Sequence, residues 1–314
     1  MSRKYLHEHP EFSDLLAIVA EKESIDQPCL IEKDYWIMHC LFGLQAGGFE
    51  FKMKGGTSLS KGFGLIHRFS EGIDIQIEPP SDRKVYKGKN QDKLHHIQSR
   101  FDFYDWLAEN IKIDDIIAKR DRDFDDEKAR SGGIRLFYTT TQDYPEDLKE
   151  GILLEVGFDD VTPNSERDIS SWAYDYASEK VEIKDNRAVA VKCYHPGYTL
   201  VEKLQAVSTK YRKQQESGRF PENFMRHYYD IFCLLKDNST QKFVSTPDYY
   251  AHKEKRFRAG DNPIIAQNEA FILSDSKTRA LYKNEYEKST TLYYREKPSF
   301  ENILSRIQEY SERL

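Results

Sequence analysis

The sequence predicts an α+β protein, with a mixed-sheet domain and flanking helices over residues 1–195 and a helical bundle domain over residues 196–314. Three observations carry that expectation. Ile73, Ile75 and Ile77 alternate with Gly72, Asp74 and Gln76 at the period of a strand. Further strand-like runs interleave with helical patterns through the first two-thirds of the chain. After His195-Pro196-Gly197 only long amphipathic helical patterns remain. A chain of 314 residues is long enough for about two domains.

The elements follow in order. Residues 12–22 carry an apolar stripe of Leu15, Leu16, Ile18 and Val19 at helical spacing, and residues 30–44 place Ile37, Cys40, Leu41 and Leu44 on one helix face. Residues 49–53 alternate as a strand that Gly55-Gly56 stops, and the isoleucine strand ends at Pro79-Pro80. A polar loop holding His95-His96 then runs to about residue 100 and leads into a helix ending near Ile111. Strands are expected at residues 134–139, 152–158 and 181–191, and helices at 200–211, 223–235, 276–288 and 300–314.

Composition narrows the function. Hydrophobic residues make up 39% and charged residues 32%, with 20 Tyr and 18 Phe, which suffices for a sizeable core and excludes wholesale disorder. The longest apolar runs fall well short of the ~20 residues that cross a bilayer, so no membrane association is expected. Cys29, Cys40, Cys193 and Cys233 form no CxxC pair, which argues against a zinc site or disulfide framework and fits a reducing cytoplasm. Net charge is −6, but residues 83–100 concentrate Lys, Arg and two His, as a phosphate-facing surface or a solvated loop.

Chemistry concentrates in two places. Lys54-Gly55-Gly56-Thr57-Ser58-Leu59-Ser60-Lys61 sets glycines after a strand and hydroxyls at a helix start, which lets a backbone approach phosphate, although the spacing is not that of a Walker A loop. The plainer reading is a strand-to-helix turn capped by Thr57. Asp74 lies on the strand face opposite the isoleucines, and Glu155 interrupts the apolar run Ile152-Leu153-Leu154-Glu155-Val156. A carboxylate so placed needs a partner, either a magnesium ion holding nucleotide phosphates or a cation such as Arg135.

The glycine run, followed by Arg68-Phe69-Ser70-Glu71-Gly72-Ile73-Asp74-Ile75, resembles the AbiEii/AbiGii-type toxin nucleotidyltransferases of the DNA polymerase β-like superfamily. Glu32-Lys33-Asp34-Tyr35-Trp36 is similar to a short motif that precedes the core in that family. Val201-Glu202-Lys203-Leu204 and Arg226-His227-Tyr228-Tyr229-Asp230-Ile231 are similar to its downstream helices. The resemblance spans residues 30–235 and implies a nucleotidyltransferase-like sheet that binds an NTP with Mg²⁺ or Mn²⁺. On it, Gly55, Gly56, Thr57 and Ser58 hold the triphosphate with Ser70 beside them, and Asp74 and Glu155 hold metal. Lys203 contacts phosphate and Asp230 completes the catalytic set. The implied reaction is transfer of a nucleoside monophosphate to RNA such as a tRNA 3′ end, with an antitoxin protein as partner and with Lys203, Arg226 and residues 83–100 as walls of the acceptor groove.

One position departs from the family pattern: Gly72 stands where the first of two strand carboxylates belongs, and side-chain alternation turns Glu71 to the other face. The second reading is therefore a nucleotide- or RNA-binding protein with impaired turnover. Taken without the resemblance, Lys203 and Asp230 are ordinary charges on a solvated helix, and Lys33 and Asp34 tie the N-terminal helices to the sheet. Trp172, Tyr174, Tyr176, Tyr249-Tyr250 and Tyr293-Tyr294 are read as core rather than base-stacking groups.

Overall fold

A computed structural model describes residues 3–88, 90–145, 148–288, 293–295 and 297–314. They form two compact units, one running to Phe63 and resuming over Phe69–Tyr194, the other combining Gly64–Arg68 with His195–Leu314. In the first unit, α1 (Phe12–Glu23) and α2 (Pro28–Ala46) precede β1 (Phe51–Lys54) and the helical turn α3 (Gly55–Thr57), which continues into a wider turn at Ser58–Gly62. Then come β2 (Gly72–Ile77), α4 (Leu94–Asn110), β3 (Ile117–Asp121), β4 (Ser131–Phe137), β5 (Ile152–Gly157), β6 (Asn164–Ile169), α5 (Trp172–Ser178) and β7 (Ala188–Tyr194).

The strands make one seven-stranded sheet in the order β3-β4-β5-β2-β1-β7-β6. It is mixed: β2 runs parallel to β5 and antiparallel to β1, while β1 runs parallel to β7. Alternation decides its faces. Met53, Ile73, Ile75, Ile77, Ile134, Leu136, Ile152, Leu154 and Val156 are all buried, and the register pairs them across β1, β2, β5 and β4. Slipping any of these strands by one residue would turn its apolar set outward, so burial of this face sets the register.

Helix α2 is covered on nearly every side, as expected of a helix apolar all round, yet it carries the consecutive charges Glu32, Lys33 and Asp34 at 1% exposure or less. Consecutive helical residues point about 100° apart. Each charge accordingly meets a different segment. Glu32 accepts from the Thr141 amide and hydroxyl at 2.8 Å, Lys33 donates to the Lys149 carbonyl, and Asp34 takes Lys61 at 2.7 Å and the Trp172 amide at 3.0 Å.

The second unit holds α6 (Pro196–Ser217), α7 (Arg226–Leu234), α8 (Asn238–Phe243), α9 (Pro247–Arg256), α10 (Glu269–Ile272), α11 (Ser276–Lys288) and α12 (Phe300–Tyr310). Pro196 opens α6 where its missing N–H has no partner to lose, and Asp237, Thr246 and Ser299 cap α8, α9 and α12 with side-chain oxygens. In its core Tyr228 meets Tyr282 and Phe300 edge-on, and Tyr286 lies tilted against Phe300.

Several elements differ from expectation. Strands β3 and β6 are the sheet's edges, and their charged sequences, Ile117-Ala118-Lys119-Arg120-Asp121 and Asn164-Ser165-Glu166-Arg167-Asp168-Ile169, lack the alternation that marks buried strands. The strand expected from residue 181 begins only at Ala188. Helix α4 starts at Leu94, so His95 and His96 lie in its first turn rather than in a loop. Its buried face of Arg100, Phe103, Tyr104 and Leu107 carries the helical period past a polar beginning. Of the basic stretch at residues 83–100, Lys89 lies outside the described residues. Among the described residues the four cysteines are free and buried, and no helix is long and apolar enough to cross a membrane.

Arg100 gives the basic stretch its shape rather than its charge. Fully buried, it donates to the Tyr86 and Gln91 carbonyls at 2.6 and 3.0 Å and twice to the Lys128 carbonyl at 3.0 and 2.8 Å. Arg100→Met leaves those carbonyls without their donor, and a loss of about 3 kcal/mol is expected in urea unfolding.

Candidate functional site

Strand β1 delivers the chain into the glycine turn. Gly55 has φ +72°, and a Cβ there would lie 1.8 Å from Asp74 Oδ2, so the carboxylate rests against a bare Cα that no other residue could supply. No side chain caps the start of α3. Thr57, the expected cap, instead donates its hydroxyl to the Gly72 carbonyl, and the Ser58 hydroxyl is buried. Both hydroxyls point inward, which leaves the backbone N–H groups of the turn as its means of meeting a phosphate.

Asp74 is the register partner of Lys54 on one side and of Glu155 on the other. Both acids are half-buried on the face opposite the isoleucines. Side chains opposite each other on neighbouring strands, about 4.8 Å apart, repel when both are charged. Two carboxylates so placed suit one divalent cation whose other positions go to water and phosphate oxygens. Among the described residues, no group of three or more His, Cys, Asp or Glu is arranged to hold a metal. Arg135, the alternative partner of Glu155, stands in register with Leu153 and bridges to Asp121 at 2.6 Å.

Position 72 is closed to side chains. Gly72 pairs in register with Leu153, and a Cβ on it would come within 2.8 Å of the Leu153 carbonyl oxygen. The glycine is therefore matched to the spacing of β2 and β5. Glu71 lies within electrostatic reach of Lys33, whose ammonium is lowered by burial to about 8 against the pull of Glu71. Ser70 is half-buried just before β2, and Gly56 is buried within the turn.

The other two expected site residues meet inside the second unit. Asp230 on α7 is fully buried and takes Arg68 Nε and Nη2 at 2.7 and 2.8 Å, with Lys203 Nζ at 3.0 Å. Burial pushes its carboxyl upward, but Arg68 and Lys203 more than reverse this and hold it below the ordinary carboxylate range. Asp230 thus holds two cations in place rather than presenting a free oxygen. Lys210, one heptad beyond Lys203 on α6, is lowered to about 8 by burial and by the charges of Lys203 and Arg226. Sequence reasoning gave no role to Arg68 or Lys61, because a cation beside a glycine motif looks like surface until its buried carboxylate is known.

A family model described as nucleotidyl transferase AbiEii toxin, type IV TA system, matches residues 37–306. Among solved structures, the chain is similar to MenT4, a nucleotidyltransferase toxin from Mycobacterium tuberculosis H37Rv, at 13% identity and a TM-score of 0.47, over 94% of this chain and 87% of that one. No curated protein matches the chain.

Two variants check this geometry. Asp230→Asn strands the buried Arg68 and the half-buried Lys203 and is expected to lose about 3–5 kcal/mol. Since the folded carboxyl titrates below its unfolded value of about 3.9, its stabilisation is complete above that pH and is lost as pH falls further, a dependence the variant lacks in acid unfolding. Gly72→Ala adds only the colliding carbon, and thermal unfolding is expected to report a loss of about 1–3 kcal/mol.

Proposed function

Because the chain belongs to the AbiEii nucleotidyltransferase toxin family of type IV toxin–antitoxin systems, we propose that it transfers a nucleoside monophosphate from an NTP to an RNA acceptor of the tRNA class. The observation that carries this reading is the register pairing of Asp74 with Glu155 beside Gly55. One wall of such a pocket offers N–H groups to phosphate, and the neighbouring wall offers two carboxylates to a cation. Asp74 and Glu155 would hold Mg²⁺ or Mn²⁺, which when bound neutralises the charge that develops on pyrophosphate. The backbone of Gly55, Gly56, Thr57 and Ser58 orients the triphosphate, with Ser70 beside it, so that the acceptor hydroxyl faces the α-phosphorus. The oxygen–phosphorus bond to the acceptor forms as the bond to pyrophosphate breaks, and the hydroxyl proton passes to solvent. Within the helical unit, Lys203, kept in place by Asp230, is our candidate for a phosphate contact. We assign the cytoplasm as its compartment and a cognate antitoxin as its partner.

Gly72 favours a second reading, a protein that binds nucleotide or RNA with impaired turnover. A full two-cation site uses the carboxylate that this position cannot accept. Incubation with labelled NTPs, Mg²⁺ and total tRNA separates the two. On the transferase reading, label enters RNA, and Asp74→Asn or Glu155→Gln each lowers the rate by about 100-fold or more. Calorimetric NTP binding without any transfer would establish the binding protein instead.

A further inference from the structure

A lysine at the end of a glycine- and hydroxyl-rich turn invites assignment as a phosphate ligand. Lys61 is engaged otherwise. Its ammonium sits 2.7 Å from Asp34 Oδ1, lies over the Trp172 indole at 4.9 Å, and its side chain is 16% exposed against 2% for Asp34. The second Asp34 oxygen accepts the Trp172 amide at 3.0 Å, at the first residue of α5. One buried carboxylate on α2 thus joins the end of the glycine turn to the start of another helix. The opposite end of the turn is fixed separately, by Asp74 against Gly55 and by the Thr57 hydroxyl on the Gly72 carbonyl. Between these anchors lie the N–H groups that must converge on phosphate.

We propose that Asp34 is a positioning residue for nucleotide binding, acting through Lys61 to hold the far end of the Gly55–Gly62 turn, and that Lys61 locates the turn without touching phosphate. The proposal rests on the reading of this turn as the nucleotide site. Its physical basis is that a buried ion pair with both carboxylate oxygens satisfied gives a segment one position, whereas removing either partner leaves an uncompensated charge that pulls the segment away. Displacements of about 1 Å suffice to spoil oriented contacts.

The two roles for Lys61 predict opposite behaviour of Asp34→Asn. A phosphate ligand released from Asp34 binds phosphate at least as well as before, whereas a locating residue without its carboxylate fails along with it. Each of the four Mg²⁺–NTPs is titrated into the full chain and into Asp34→Asn, Lys61→Gln, their double variant and Lys61→Arg. Both single variants are expected to weaken the tightest NTP about tenfold, the double variant no more than either alone, and Lys61→Arg to retain affinity within about threefold. Loss in Lys61→Gln alone overturns the proposal by making Lys61 a ligand, and unchanged affinity at a lowered melting temperature overturns it by making the pair merely structural. Hydrogen exchange over residues 55–62 decides independently of ligand: faster exchange there in both single variants and recovery in Lys61→Arg support it, and unaltered exchange sinks it. Failure of the native chain to bind any NTP would instead remove the nucleotide-site reading, which the exchange result does not test.

Discussion

Two like-charged carboxylates held side by side on parallel strands are the constraint on which the first unit turns. Asp74 and Glu155 have no freedom to separate, because the residues flanking them, Ile73, Ile75, Leu154 and Val156, are locked into the opposite face by burial. Hydrophobic register and electrostatic tension are thus two sides of one pleat. Relief comes from neighbours of the other sign or from a bound cation, and the sheet places Lys54 next to Asp74 in the same row. Gly55 completes the arrangement: the carboxylate fills the space a side chain would need, so turn and acid are compatible only as a pair.

The second unit treats its acid differently. Asp230 is sealed from solvent and its oxygens are taken by Arg68 and Lys203, so it organises positive charge. Where Asp74 and Glu155 are half-buried, Asp230 is closed and satisfied. Lys210 shows the other half of that organisation, since burial first, and then the nearby charges of Lys203 and Arg226, weaken its hold on its proton.

What could be read in the residues follows from which forces act locally. The isoleucine alternation, the helices beginning near Phe12 and Ser276 and the acids on the strand face were legible because burial imposes a period on neighbouring residues. The edge strands β3 and β6 were not, because a strand paired on one side is stabilised by a neighbour distant in sequence and tolerates polar residues on both faces. The inward turn of the Thr57 hydroxyl depends on Gly72, which no spacing rule connects to it. Asp34 did leave a trace, as part of a charged triplet inside an apolar helical run, although its partner Lys61 is a long-range fact.

The segment Gly64–Arg68 lies in sequence between the glycine turn and β2, yet it belongs to the helical unit, where Arg68 meets Asp230 and the His67 amide donates to the Tyr229 hydroxyl at 3.1 Å. A recombination event that exchanged everything after Tyr194 would bring in a new helical half and discard the carboxylate that Arg68 requires. Such a chimera would inherit an orphaned guanidinium in the loop that joins its two signature motifs. A helical half exchanged for this one is therefore compatible with the rest of the chain only if it brings a carboxylate for Arg68.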